Sequence, residues 1–174
     1  MRGFIKASDY VAEWIKSKTS TVYGVQGGAA VHLFDSCHRV GLQAVYCHHE
    51  QAAGFAAVAH SRIAGFGVCI VTTGPAATNC ITPCLGAWQD SIPVLFISGQ
   101  TRVANMSYDT GARQIGSQEA PILNYVRDMA KGRFLIRDAA AISYWLKEAY
   151  ARAFEGRPGP VWIDFPVDQQ WSNA

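Results

Sequence analysis

Gly67-Val68-Cys69-Ile70-Val71-Thr72 is the stretch that decides the fold. Four successive apolar residues, Val68 to Val71, stand between a glycine and a threonine with no polar alternation. A strand of that kind hides both faces, as strands do in a parallel sheet covered by helices on each side. Outward from it, short β-rich runs recur at residues 21–25, 43–47, 93–98 and 161–165, with a weaker one at 133–137. Between them the apolar positions change to helical spacing. Ser8 or Asp9 is placed to cap a first helix carrying Val11, Trp14 and Ile15, and helices are expected over 30–39, 51–64, 79–89 and 138–154, the last capped by Asp138. The alternation predicts an α/β fold: a doubly wound, mostly parallel six-stranded sheet with helices on both faces.

One segment breaks the rhythm. Residues 99–131 are polar and glycine-containing, with only a short helix expected at 120–125, and loops of such length inside a domain tend to be functional. Residues 1–168 read as one domain, with 169–174 as a tail or the start of a linker.

Composition bounds the function. The chain has 174 residues, 49% of them hydrophobic and 16% charged, and its 15 Lys+Arg against 13 Asp+Glu leave a net charge of +2. That suits a packed core rather than disorder. No apolar stretch approaches the roughly 20 residues that a bilayer span needs. The basic clusters that drive nucleic-acid binding are missing too. Cys37, Cys47, Cys69, Cys80 and Cys84 have no zinc or redox spacing and read as reduced, mostly buried thiols, which with the absence of an export signal suggests a cytoplasmic protein.

In an open parallel sheet, ligands bind outside the carboxyl ends of the strands. Three junctions stand there: Gly24-Val25-Gln26-Gly27-Gly28, His48-His49-Glu50, and Thr73-Gly74-Pro75-Ala76-Ala77-Thr78-Asn79. Common motifs fail. Ala53 occupies the histidine position of a zinc protease, no dinucleotide fingerprint opens a helix, and neither a phosphate loop nor a nucleophile elbow occurs. His48 and His49 read as strand-end residues with ordinary hydrogen-bonding roles, since no carboxylate or cysteine at ligand spacing accompanies them. Glu50 precedes the alanine-rich helix 51–64. It reads either as a helix-start glutamate favoured by the macrodipole or as a partly buried acid whose proton affinity desolvation would tune. The glycines 27 and 28 are either a tight turn or a place where a ligand approaches the backbone.

Five motifs in register decide between these readings. His49-Glu50-Gln51-Ala52-Ala53, Val71-Thr72-Thr73-Gly74-Pro75-Ala76-Ala77-Thr78-Asn79, Asp90-Ser91-Ile92-Pro93-Val94, Ser98-Gly99-Gln100 and Gly156-Arg157-Pro158-Gly159-Pro160-Val161 strongly resemble the thiamine-diphosphate enzymes of the acetolactate synthase group. The resemblance runs from residue 8 to residue 168 and implies the N-terminal domain that binds the cofactor's aminopyrimidine ring. It implies that Glu50 is the catalytic acid that hydrogen-bonds a ring nitrogen and favours the imino tautomer, with Gln118 catalytic beside the substrate. Gly27, Gly28, Glu50, Pro75 and Asn79 are the implied cofactor contacts, and Gln26, Gln100 and Lys131 the implied substrate-side positions. Gln26, Ala76 and Ser117 stand where relatives often carry proline, glycine and phenylalanine, so substrate and acceptor stay open. Some relatives bind FAD, and after Lys131 the chain has Gly132 where they have an aromatic or histidine.

The glycine-aspartate-glycine motif that holds magnesium and diphosphate in this group is absent, so the expected metal ligands in this chain are none. The implied enzyme is a transferase or lyase, a 2-oxo acid decarboxylase or carboligase. Its thiamine diphosphate and Mg2+ would be completed by a diphosphate-binding domain from another chain or from a C-terminal region, in a homo- or hetero-oligomer, and the isolated chain would be inactive. The alternatives are the small subunit of a split decarboxylase for sulfopyruvate or phosphonopyruvate, a non-catalytic assembly module, and a flavodoxin-like nucleotide-binding protein.

Overall fold

All strands of the sheet run in one direction. The computed structural model describes residues 5–174 and orders them as α1 (Ala7–Lys16), β1 (Thr21–Gly24), α2 (Val31–Arg39), β2 (Gln43–Tyr46), α3 (Glu50–Ala64), β3 (Gly67–Val71), α4 (Pro75–Asn79), α5 (Ile81–Gln89), β4 (Val94–Gln100), α6 (Ile122–Tyr125), β5 (Gly132–Leu135), α7 (Ile142–Phe154), β6 (Val161–Pro166) and α8 (Val167–Trp171). Single 3-10 turns stand at Gly28–Ala30, Val103–Asn105 and Ala139–Ala141. The strand order is β2-β1-β3-β4-β6-β5, and the sheet expected to be mostly parallel is parallel throughout.

The alternation of side chains along each strand explains the two cores. Val68 and Ile70 of β3, Leu95 and Ile97 of β4, and Val161, Ile163 and Phe165 of β6 pack with α1, α2 and α7 on one face. The residues between them, Cys69, Val71, Val94, Phe96 and Trp162, pack with α3, α4, α5 and α6 on the other. Successive side chains of a strand point to opposite faces, so central strands sandwiched by helices must be apolar at nearly every position. Phe96 and Trp162 are register partners across β4 and β6, and their rings stack 5.0 Å apart at 15°.

Several boundaries differ from the sequence reading, each for a local reason. The helix expected over 79–89 begins instead at Ile81 as α5, and a separate short helix, α4, precedes it and ends at Asn79, with Cys80 between them. Restarting there puts Pro83 in the first turn of α5, where a missing N–H leaves no helical bond unmade. Neither Ser8 nor Asp9 caps α1, which begins at Ala7 without a side-chain cap. Ser36 Oγ of α2 instead donates to Asp9 Oδ1 at 2.6 Å and sits 2.9 Å from Ser8 Oγ, so both residues fasten α1 to α2. Asp138 does cap, accepting from Ala140 N at 3.0 Å ahead of α7. Residues 169–174, read as a tail or linker start, contain the end of α8 and an antiparallel bridge between Lys6 and Asn173. Four of the five cysteines are buried and all five are free.

Replacing Phe96 by Ala should cost this chain ~3–5 kcal/mol, because the stacked ring is lost from a site enclosed by strand and helix. Urea unfolding measures it; a loss below about 1 kcal/mol would contradict the packing described.

Candidate functional site

Chain order reverses beside β1: the chain leaves β1 towards β2 on one side, while β3 and β4 follow on the other. This is the switch point at which loops diverge and open a crevice at the carboxyl edge of a parallel sheet. The loops after β1 and β3 meet there. A Cβ on Gly27 would lie 2.4 Å from Thr72 Cγ2, so only glycine fits, and Ala29 N donates to Thr72 Oγ1 at 3.1 Å. Gly28 next to it faces open space, and Gln26, Gly27, Gly28 and Val31 line a recess of about 260 Å3.

Glu50 opens α3. His49 caps that helix, its Nδ1 accepting from Gln51 N at 3.1 Å. Asn79 Nδ2 donates to Glu50 Oε2 at 2.9 Å, and among the described residues no donor reaches the other carboxylate oxygen. Glu50 is only half-buried, so the dry surroundings expected for it are not supplied by this domain. Its place at the first residue of α3, directly after β2, puts it at the carboxyl edge of the sheet.

Helix α4 links this acid to the long loop. Asn79, its last residue, holds Glu50, and Pro75, its first, lies about 6 Å back along the helix axis. Pro75, Gly74, Thr78, Gln114, Gln118 and Tyr125 line most of a cleft of about 460 Å3. Gly74 has φ 59°, and a Cβ there would sit 1.7 Å from the Gln118 carbonyl oxygen. Gln118 itself has φ 56°, a left-handed conformation uncommon for a non-glycine residue and found where surroundings over-determine the backbone.

The structure therefore brings Gly27, Gly28, Glu50, Pro75, Asn79 and Gln118 to one edge, together with Gln26. It does not bring Gln100 or Lys131 to the crevice. Gln100 is 1% exposed with both ends of its amide occupied, accepting from Thr73 Oγ1 at 2.7 Å and donating to Ala120 O and Asp164 Oδ2 at 3.0 Å. It is a fixed element of the interior of this chain. Lys131 precedes β5 at the amino end of the strands, where its ammonium meets the Glu155 carbonyl in a different cleft with Trp88, Gln89 and Arg157. The two ends of a strand look alike in sequence, so the sequence by itself does not distinguish this position from one at the carboxyl edge. Among the described residues, no group of three His, Cys, Asp or Glu side chains is set to hold a metal.

Residues the sequence reading passed over support this edge. Gln170 of α8 donates to Ala29 O and to Phe165 O, each at 2.7 Å, and so props the turn after Gly28. Asp164 of β6 is fully buried and accepts from Ser98 Oγ at 2.6 Å, Gln100 Nε2 at 3.0 Å and Tyr108 OH at 3.1 Å. Its signal was visible: a lone charge inside the apolar run Val161-Trp162-Ile163-Asp164-Phe165. Burial pushes its carboxyl up from 3.8 to about 7; the three hydrogen bonds pull the other way, and the nearby Glu119 carboxylate pushes up again.

The sequence profile of the thiamine pyrophosphate enzyme N-terminal TPP binding domain matches residues 5–124. The chain belongs to the thiamine pyrophosphate enzyme family. It is 36% identical over 169 residues to the acetolactate synthase isozyme 2 large subunit of Escherichia coli, covering 94% of this chain and 30% of that protein. The isozyme 3 large subunit of the same organism is 38% identical over 160 residues, covering 91% of this chain and 27% of that one. The acetolactate synthase large subunit of Haemophilus influenzae is 40% identical over 152 residues, covering 84% and 25%. This is an acetolactate-synthase-like N-terminal domain, and it spans less than a third of the length of these relatives.

Asp164 gives this family member a testable pH dependence. Its carboxyl holds a proton to higher pH when folded than when unfolded, so between about pH 3.8 and about 7 the folded state binds more protons. Stability from this group is therefore lost as pH rises through that window and levels off above it. Urea unfolding of wild type and Asp164→Asn across the window should show the variant gaining on wild type as pH rises; a constant difference would refute the assignment.

Proposed function

We propose that this chain is the pyrimidine-binding part of an acetolactate-synthase-like enzyme acting on a 2-oxo acid such as pyruvate. The observation that carries the reading is the Glu50–Asn79 hydrogen bond, which fixes one carboxylate oxygen while, among the described residues, no donor takes the other. The residues present fit a flat ring. Gly28 leaves unfilled the space a side chain would take, Gly27 lies against Thr72, and no protein group competes for the second oxygen of Glu50 among the described residues.

When bound, thiamine diphosphate supplies an acidic thiazolium carbon able to attack the carbonyl of a 2-oxo acid. The chain's own part is positional and electrostatic. Asn79 orients Glu50, and Glu50 would hold a proton at its other oxygen for a hydrogen bond to a ring nitrogen of the cofactor, the kind of positioned acid that general acid catalysis requires. Pro75 and Asn79 bound the space for the ring along α4. Gln118 faces the same side from the loop above Gly74 and is assigned to substrate, and Gln26 borders the glycine recess.

The half-exposure of Glu50 and the greater length of the relatives support completion by a diphosphate-binding domain, from a second chain or from further sequence, which would also carry Mg2+. Covering the acid would remove water from it and strengthen each contact inside. The relatives are large subunits, which favours this reading over a split decarboxylase or an assembly module.

In the complete protein, Glu50→Gln should keep assembly and lower turnover of pyruvate by about a hundred- to ten-thousand-fold. Steady-state kinetics beside size-exclusion chromatography provide the check. A rate near wild type in the assembled variant would remove Glu50 from the mechanism.

A further inference from the structure

We propose that Asp164 is a positioning residue whose buried carboxylate clasps both ends of the loop that carries Gln118, holding Gln118 over Gly74. The inference rests on the reading of Gln118 as a substrate-side group.

The loop needs such a clasp. Between β4 and α6 the chain forms a single 3-10 turn, Val103–Asn105, and of residues 101–121 only Met106, Ser107, Gly116 and Glu119 are buried. It has little apolar surface with which to hold itself down. Asp164 divides its two oxygens between the sheet and this loop. Oδ1 accepts from Ser98 Oγ, which in turn accepts from Trp162 Nε1 at 2.9 Å, so that side is rooted in the core. Oδ2 accepts from Tyr108 OH, near the start of the loop, and from Gln100 Nε2, which also holds Ala120 O near its end. The Tyr108 hydroxyl accepts in its turn from Leu123 N at 3.2 Å. An inner tie, Ser107 Oγ to Glu119 Oε1 at 2.8 Å, closes the loop a second time.

Two acceptor oxygens account for the choice of a carboxyl: one is turned to the sheet and the other to the loop. The hydrogen bonds to them act where water does not compete. The ionisable groups facing Asp164 are Tyr108 and Glu119, neither of them a cation. Arg133 of β5 spends its guanidinium on Leu123 O at 2.9 Å. Three neutral donors therefore do what an ion pair does elsewhere. The same network reaches the crevice through Thr73, which donates to Gln100 Oε1 and immediately precedes Gly74.

The test uses the complete protein loaded with thiamine diphosphate and Mg2+, with pyruvate as probe. Tyr108→Phe removes one hydroxyl, Asp164→Ala removes the clasp, and Asp164→Asn keeps an oxygen for Gln100 and Tyr108 while its amide donates to Ser98. Expected are amides of residues 107–119 exchanging about tenfold faster in Tyr108→Phe and Asp164→Ala, with β3 and α3 unchanged and Asp164→Asn close to wild type. KM for pyruvate should rise about tenfold with kcat nearly constant in the first two variants. Should Asp164→Ala fail to fold, Tyr108→Phe carries the same comparison. Unchanged loop exchange, or exchange rising evenly through the domain, overturns the proposal; so does faster loop exchange with unaltered KM. A wild type inactive on pyruvate but normal in loop exchange would count against the substrate reading, and exchange would then decide the clasp by itself.

Discussion

The backbone contacts at the carboxyl edge of the sheet govern the rest of the molecule. Thr72 touches Gly27, and the Gln118 carbonyl lies on Gly74, at distances that exclude a side chain. Parallel strands end side by side with their loops competing for the same space, so a crevice exists only where those loops are thin. Here thinness comes from glycine, and it allows two distant segments to press on the loop after β3 from opposite sides. Helix α4 follows from that loop, and with it the spacing between the residue that orients Glu50 and the proline beside Gln118.

Two acids on the carboxyl side of the sheet have opposite surroundings. Asp164 is fully enclosed, with every hydrogen bond to it made by this chain. Glu50 has one partner and is half-open to solvent. Different surroundings let one fold give two carboxyls different tasks. The enclosed one has no room for a ligand and serves the architecture. The open one keeps a free oxygen.

Much of this was legible in the sequence, for reasons that can be named. Strands β3, β4 and β6 are apolar at almost every position because both faces are buried, and a run such as Val68 to Val71 has few other interpretations. Glu50 at a helix start followed from the change from strand to alanine-rich helix. What escaped detection depended on partners far away in the chain. Tyr108 meets Asp164 across 56 positions, and no local pattern announces that pairing. Gln100 carries the same polar group whether it faces a crevice or the interior, so residue type alone does not foretell its burial. The split between α4 and α5 was readable in principle, because Pro83 tolerates only a first-turn position. The helix at the carboxyl-terminal end was not, since its hold on the domain comes through partners far away in the chain: Gln170 at Ala29, Asp168 at Val103 and Gln169 at Ala139.

That last helix has a geometric consequence. Ala7 N bonds Ser172 O and Ala174 N bonds Ile5 O, so the first and last described segments are stitched together as a two-residue-wide seam. Residues 5–7 and 172–174 are thereby held side by side, so any sequence continuing past residue 174 would leave the domain beside α1.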